Sequence, residues 1–119
     1  MSIPVDVSEL RVVAAGQADF AYLLTVSDDA RPHAVAVRAL IRDGVVTCEA
    51  GRTSCANATA RTEVSFLWPP GAPGDYSLIC DGVASVSGSV ISVVPSRAVR
   101  HRPAPDGGND CAPVELGSS

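Results

Sequence analysis

Asp43-Gly44 stands between two runs rich in β-branched and aliphatic residues, His33–Arg42 and Val45–Glu49. This dipeptide is a strong hairpin signal, because a type I′ turn demands positive φ at both central residues. It predicts an antiparallel pair of fixed register, and register decides which side chains face a core. Between Tyr76 and Ser87 the same logic runs over a longer span. The even positions are Tyr76, Leu78, Cys80, Gly82, Ala84 and Val86, whereas the odd ones include Ser77, Asp81, Ser85 and Ser87. Period-two alternation of this kind marks a strand with one buried face.

The rest of the chain is read around these two anchors. Phe20–Val26 is a short aromatic and β-branched strand, and Asp28–Pro32 is a turn. Glu63–Trp68 is a strand with Val64, Phe66 and Trp68 on one face. Pro69–Gly74 is a loop, and Ser87-Gly88 turns into a last strand, Ser89–Val94. Two helices are expected: Ser8–Ala15, capped by Ser8, and the alanine-rich Thr53–Arg61, capped by Thr53 or Ser54. Pro95 is expected to stop the sheet and open a short helix over Ser96–Val99. The expected fold is mainly β, a six-stranded antiparallel barrel over residues 1–102 with an irregular tail over 103–119. Closure would remove the exposed sheet edges.

Composition excludes several functions. A chain of 119 residues is one domain, and 46% apolar content suits a folded globule. The net charge of -4 without a basic cluster argues against nucleic acid or an anionic membrane as partner. All nine basic residues are arginine. Without lysine there is no internal Schiff base and no Walker-type phosphate loop. No apolar run approaches the roughly 18 residues needed to span a bilayer, and no secretory h-region is visible, so a soluble cytoplasmic protein is expected. Cys48, Cys55, Cys80 and Cys111 are widely spaced with no Cys-x-x-Cys, which reads as free thiols. Nothing in their spacing relative to His33 or His101 supports zinc.

The order of elements resembles the pyridoxamine-phosphate-oxidase-like, FMN-binding split barrel. The residues that carry it are Arg31-Pro32-His33, the Asp43-Gly44 hairpin, Thr53–Asn57, the strand Val64–Trp68 and Asp81–Ala84. Trp68-Pro69-Pro70 and Asn109-Asp110-Cys111 resemble small actinobacterial members of that group. The resemblance covers roughly Phe20 to Arg102. It implies a split β-barrel, a homodimer, and FMN or a deazaflavin bound in a groove between subunits.

The resemblance also assigns candidate cofactor-binding residues. Arg52, Thr53 and Ser54 would hold a phosphate, because a helix start offers free N–H groups and the side chains add hydroxyls and a cation. The family usually places Arg and Lys around Ser54 and Cys55, and neither is there. A surface arginine before an ordinary capped helix stands as the alternative. The strand Val35, Ala36, Val37, Arg38 would line the flavin ring, with Ala34 and Ala36 leaving room; a plain barrel wall is the alternative. Trp68 would wall the pocket or a dimer contact, or simply fill the core. Ser77 matches a position where the family has a polar cofactor contact. Arg100-His101-Arg102 reads as solvated or anion-facing. No acid–base or nucleophilic constellation is visible, which suits a cofactor that carries the chemistry. The implied function is a flavin- or deazaflavin-dependent oxidoreductase. The alternatives are a non-catalytic flavin, deazaflavin or tetrapyrrole carrier and a cofactor-free dimeric barrel. Pyridoxamine-phosphate oxidase activity itself does not follow. That enzyme has a C-terminal substrate-binding segment with tryptophan and arginine, and nothing after Arg102 supplies either.

Overall fold

The computed structural model describes residues 1–104. Eight strands form one sheet: β1 (Ser2–Val5), β2 (Ala21–Val26), β3 (Pro32–Val37), β4 (Leu40–Arg42), β5 (Val45–Glu49), β6 (Glu63–Trp68), β7 (Ser77–Ser87) and β8 (Val90–His101). The order is β3-β2-β6-β7-β8-β5-β4, with β1 added beside β8, and every pairing is antiparallel. Two helices, α1 (Leu10–Ala14) and α2 (Arg52–Ala60), complete the elements, with a single 3-10 turn at Val7–Glu9.

The anchors of the sequence reading are in place. Asp43 and Gly44 have φ of 52° and 75° and close the β4–β5 hairpin. Strand β7 buries Leu78, Cys80, Gly82 and Ala84, the even positions. Val64, Phe66 and Trp68 of β6 point into the same core, which Leu23, Val46, Ile91 and Val93 share. Helix α2 lies against β7 and β2. It buries Ala58, and its Asn57 donates from Nδ2 to Thr25 Oγ1 at 3.1 Å.

Four expectations need correction. First, there are eight strands among the described residues, not six. The single strand expected over His33–Arg42 divides at Arg38-Ala39, because Val37 pairs with Ala21 while Leu40 pairs with Thr47. One stretch thus serves both ends of the sheet. Those ends share no ladder among the described residues, so the sheet is joined through two residues of chain rather than closed by hydrogen bonds. The other added strand, β1, pairs with Ala98–His101.

Second, Ser96–Val99 is strand, not helix. Pro95 sits opposite Gly82, where the β7–β8 register shifts by one residue. The residue left without a partner is Ser96, between Pro95 and Arg97, and such an interruption of the ladder is where a strand accommodates proline. Gly82 makes the bulge possible: a Cβ on it would lie 2.5 Å from Val93 Cγ1 and 2.6 Å from Val94 O. Third, the first helix begins at Leu10 and the Asp6 side chain, not Ser8, caps the preceding turn. Fourth, the N-cap of α2 is Gly51, in an extended conformation with no side-chain cap. Thr53 and Ser54 therefore lie inside the first turn with their hydroxyls unspent.

Candidate functional site

The first turn of an α-helix carries N–H groups that no residue of the helix can accept. In α2 the first intrahelical bond is Cys55 N–H to Gly51 O, which leaves the N–H groups of Arg52, Thr53 and Ser54 free, and Gly51 offers no side chain to cover them. Ser54 is 2% exposed. Its side chain forms part of a groove wall.

That groove, of about 540 Å³, also takes in β3 and the end of β5. Its walls are His33, Val35, Ala36 and Val37 on one side and Glu49, Ala50, Gly51, Arg52, Thr53 and Ser54 on the other. Among the described residues strand β3 pairs only with β2, so every second residue directs its backbone polar groups away from the sheet. A ligand here would meet small side chains and free backbone donors and acceptors on β3, and an uncapped helix start opposite. Arg52 is exposed and forms no ion pair among the described residues, so its guanidinium is available.

Six of the nine candidate residues thus converge: Val35, Ala36, Val37, Arg52, Thr53 and Ser54. Arg38 lines an adjoining groove of about 390 Å³ with Leu40, Thr47 and Val90; Glu49 forms part of both walls. Trp68 is 3% exposed and packs on Phe66 at 5.6 Å between ring centroids. Ser77 lies on another groove, between the β6–β7 loop and the end of β8. One chain does not bring Arg38, Trp68 or Ser77 to the β3–α2 groove. Cys111 and the Asn109-Asp110-Cys111 motif lie outside the described residues.

Two wall residues stand outside the set of cofactor-binding candidates. His33 is half-buried and its Nδ1 is buried without a partner among the described residues. Glu49 puts a carboxylate beside the helix start. Only the pairing of β5 with β8 and the Ala50–Gly51 link into α2 place Glu49 there, and no local pattern announces it. The larger space next to this groove, about 750 Å³, shares Ala50 and Arg52 with it and is otherwise walled largely by apolar and small residues, among them Cys55, Ala56, Ala60 and Val86.

Solved structures define the class of fold. A Listeria innocua protein described as a pyridoxamine 5'-phosphate oxidase superposes with a TM-score of 0.65 at 18% identity, covering 78% of this chain and 96% of its own. An F420 reductase gives 0.60 at 15% identity, over 72% and 93%. An FAD-binding protein from Mycobacterium smegmatis gives 0.58 at 17% identity, over 86% and 100%. The fold is that of the pyridoxamine-phosphate-oxidase-like split barrels. No family model matches the chain. Two mycobacterial sequences are nearer relatives: the uncharacterized proteins Mb0449c of Mycobacterium bovis and MT0457 of Mycobacterium tuberculosis. Each is 42% identical, and each match covers 81% of this chain and 81% of the relative. The chain belongs to the family of these two proteins.

Proposed function

We propose that this protein binds a phosphate-bearing flavin, FMN or a deazaflavin, in the β3–α2 groove and works as a flavin- or deazaflavin-dependent oxidoreductase. The observation that carries the reading is the convergence of an uncapped helix start and an edge strand of small residues on one groove. The free N–H groups of Arg52, Thr53 and Ser54 and the Thr53 and Ser54 hydroxyls would hold the phosphate, with Arg52 adding a cation. The backbone of Val35, Ala36 and Val37 would meet the polar edge of the ring. The bound cofactor would supply hydride transfer. The chain's own residues bind and orient it, and His33 is the one imidazole on the groove wall. A second copy of the chain would cover apolar side chains such as Val12 and Leu40, which are 74% and 64% exposed. The mass of the native particle in solution checks that dimer.

One observation favours a second reading, a carrier without turnover. Glu49 shares the groove with the helix start, and no lysine anywhere in the chain offsets it. Absorbance titration with FMN and with F420 separates the readings. The oxidoreductase reading expects saturable binding in the micromolar range, reduction of the bound cofactor by a nicotinamide donor or by reduced F420, and roughly tenfold weaker binding by Arg52→Ala. Binding without reduction favours the carrier. No binding of either cofactor sinks both.

A further inference from the structure

His33 stands on the wall of the β3–α2 groove, and its Nδ1 is the one side-chain atom of that wall that is buried without a partner among the described residues. A buried polar atom left unsatisfied is costly, and each one in a native structure calls for a cause. Imidazole has two nitrogens. With Nδ1 shut away, Nε2 is the one that a ligand in the groove can reach. No carboxylate forms an ion pair with His33 among the described residues, although Glu49 stands on the facing wall.

Two buried polar residues lie behind that strand. Thr25 is directly opposite His33 in the β2–β3 ladder, so the two side chains leave the sheet on one face, with Cβ atoms about 4.5–5.5 Å apart. Thr25 is 2% exposed and Asn57 is 6% exposed. Asn57 Nδ2 donates to Thr25 Oγ1 at 3.1 Å, which uses the hydroxyl as an acceptor and leaves its hydrogen to give. A donor beside Nδ1 keeps that nitrogen an acceptor and puts the ring hydrogen on Nε2. Asn57 also lies one turn beyond Thr53 and Ser54 on α2, so the same network ties the His33 end of β3 to the helix start.

We propose that His33 is a second side chain of the phosphate seat, donating from Nε2 to a phosphate oxygen, and that Thr25 is the positioning residue that holds its ring. A small turn of the imidazole brings Nδ1 onto the Thr25 hydrogen and satisfies the orphaned atom. The inference rests on the proposed flavin site and meets a deficit in it. Arg52 is the only arginine on the groove wall, Glu49 opposes it, and the chain has no lysine. Backbone N–H groups from the helix start and an imidazole N–H from β3 enclose an anion from two sides, which donors on one helical turn cannot do.

The test compares FMN with riboflavin, which lacks the phosphate, by absorbance titration of the full chain; F420 and its phosphate-free chromophore make the same comparison for a deazaflavin. His33→Ala should weaken the phosphorylated ligand at least about tenfold and the other less than about twofold, with His33→Gln in between because its amide keeps a donor. Equal losses for both ligands put His33 at the ring or the polyol and overturn the assignment, as does an unchanged FMN affinity. Thr25→Val should also weaken FMN selectively and add nothing to His33→Ala in the double variant, because it acts through His33. Additive losses overturn the positioning role. If Thr25→Val loses the folded spectrum, the ¹⁵N shifts of the His33 ring in the parent protein decide it, and a hydrogen on Nδ1 overturns the network. A parent that binds none of these flavins sinks the flavin reading, and inorganic phosphate then decides this one: a saturable shift of His33 Nε2, weakened by Arg52→Ala, supports it, and no shift overturns it.

Discussion

Replacing Gly51 with aspartate separates the stability of α2 from the use of its N-terminus. Gly51 has φ of -76° and ψ of 175°, which any L-residue adopts, and a Cβ there meets nothing within 4 Å. The new carboxylate would accept from the N–H groups of Thr53 or Ser54, as N-cap side chains do. Capping in place of glycine is worth a few tenths of a kcal/mol. The negative charge at the positive end of the helix dipole adds about 0.3–1 kcal/mol. The protein alone should therefore unfold later, by about 2–10 °C at roughly 4–8 °C per kcal/mol. Cofactor binding should move the other way. Hydrogen bonds to a charged group contribute about 1.5–3 kcal/mol each. Loss of even one such bond weakens a phosphate about tenfold or more, and charge repulsion adds to that. Thermal unfolding by circular dichroism and absorbance titration with FMN and F420 read the two effects on one preparation. Gly51→Asn, a cap without the charge, divides donor competition from repulsion. A Gly51→Asp protein with raised melting temperature and cofactor affinity within twofold of the parent would refute the phosphate seat. A lowered melting temperature would refute the picture of an open, uncapped Gly51.

Three further outcomes follow from the packing. Gly82→Ala should destabilise by about 1–3 kcal/mol in urea unfolding, because its Cβ meets the backbone oxygen of Val94 at 2.6 Å and backbone cannot step aside as a side-chain tip can; unchanged stability would mean the bulge is loosely held. Thr25→Val leaves the buried Asn57 amide without its acceptor and should cost about 1–3 kcal/mol, measured the same way, with the double variant Thr25→Val, Asn57→Leu recovering part of the loss. Burial lifts the Cys48 thiol, and likewise Cys80, from an ordinary value of 9.0 to about 11, with Cys55 adding to the first and Asp81 to the second. Both should resist alkylation in the folded protein at pH 8. The unfolded chain ionises these thiols first, so stability should fall as pH rises from about 9 towards 11, and Cys80→Ala should flatten that fall.

Much of the fold is legible locally. Asp43-Gly44 fixes a hairpin because its dihedral demands are met by few residue pairs, and β7 declares its buried face by alternation. Pro95 misleads for the same local reason. A missing N–H forbids a regular ladder position, but a bulge removes the requirement, and the bulge needs Gly82 on another strand. The candidate site divides in the same way. Arg52, Thr53 and Ser54 are visible as a helix start with hydroxyls, yet the cap falls on Gly51. That choice leaves the hydroxyls free, and the alanine-rich pattern does not contain it.

What the sequence alone determined is most of the β segments between Phe20 and Val94, the α2 segment and the absence of lysine chemistry, because these rest on dihedral preference, period and composition. Tertiary structure decided the rest. The break at Arg38-Ala39 exists only because one stretch finds two different partners, β2 and β5. The groove exists only because edge strand β3 comes to lie beside the start of α2. The cluster of Tyr76 with Arg100 and Arg102 exists only because β7 and β8 pair across their full length. Each is a contact between residues distant in the chain, and no local preference encodes such a contact.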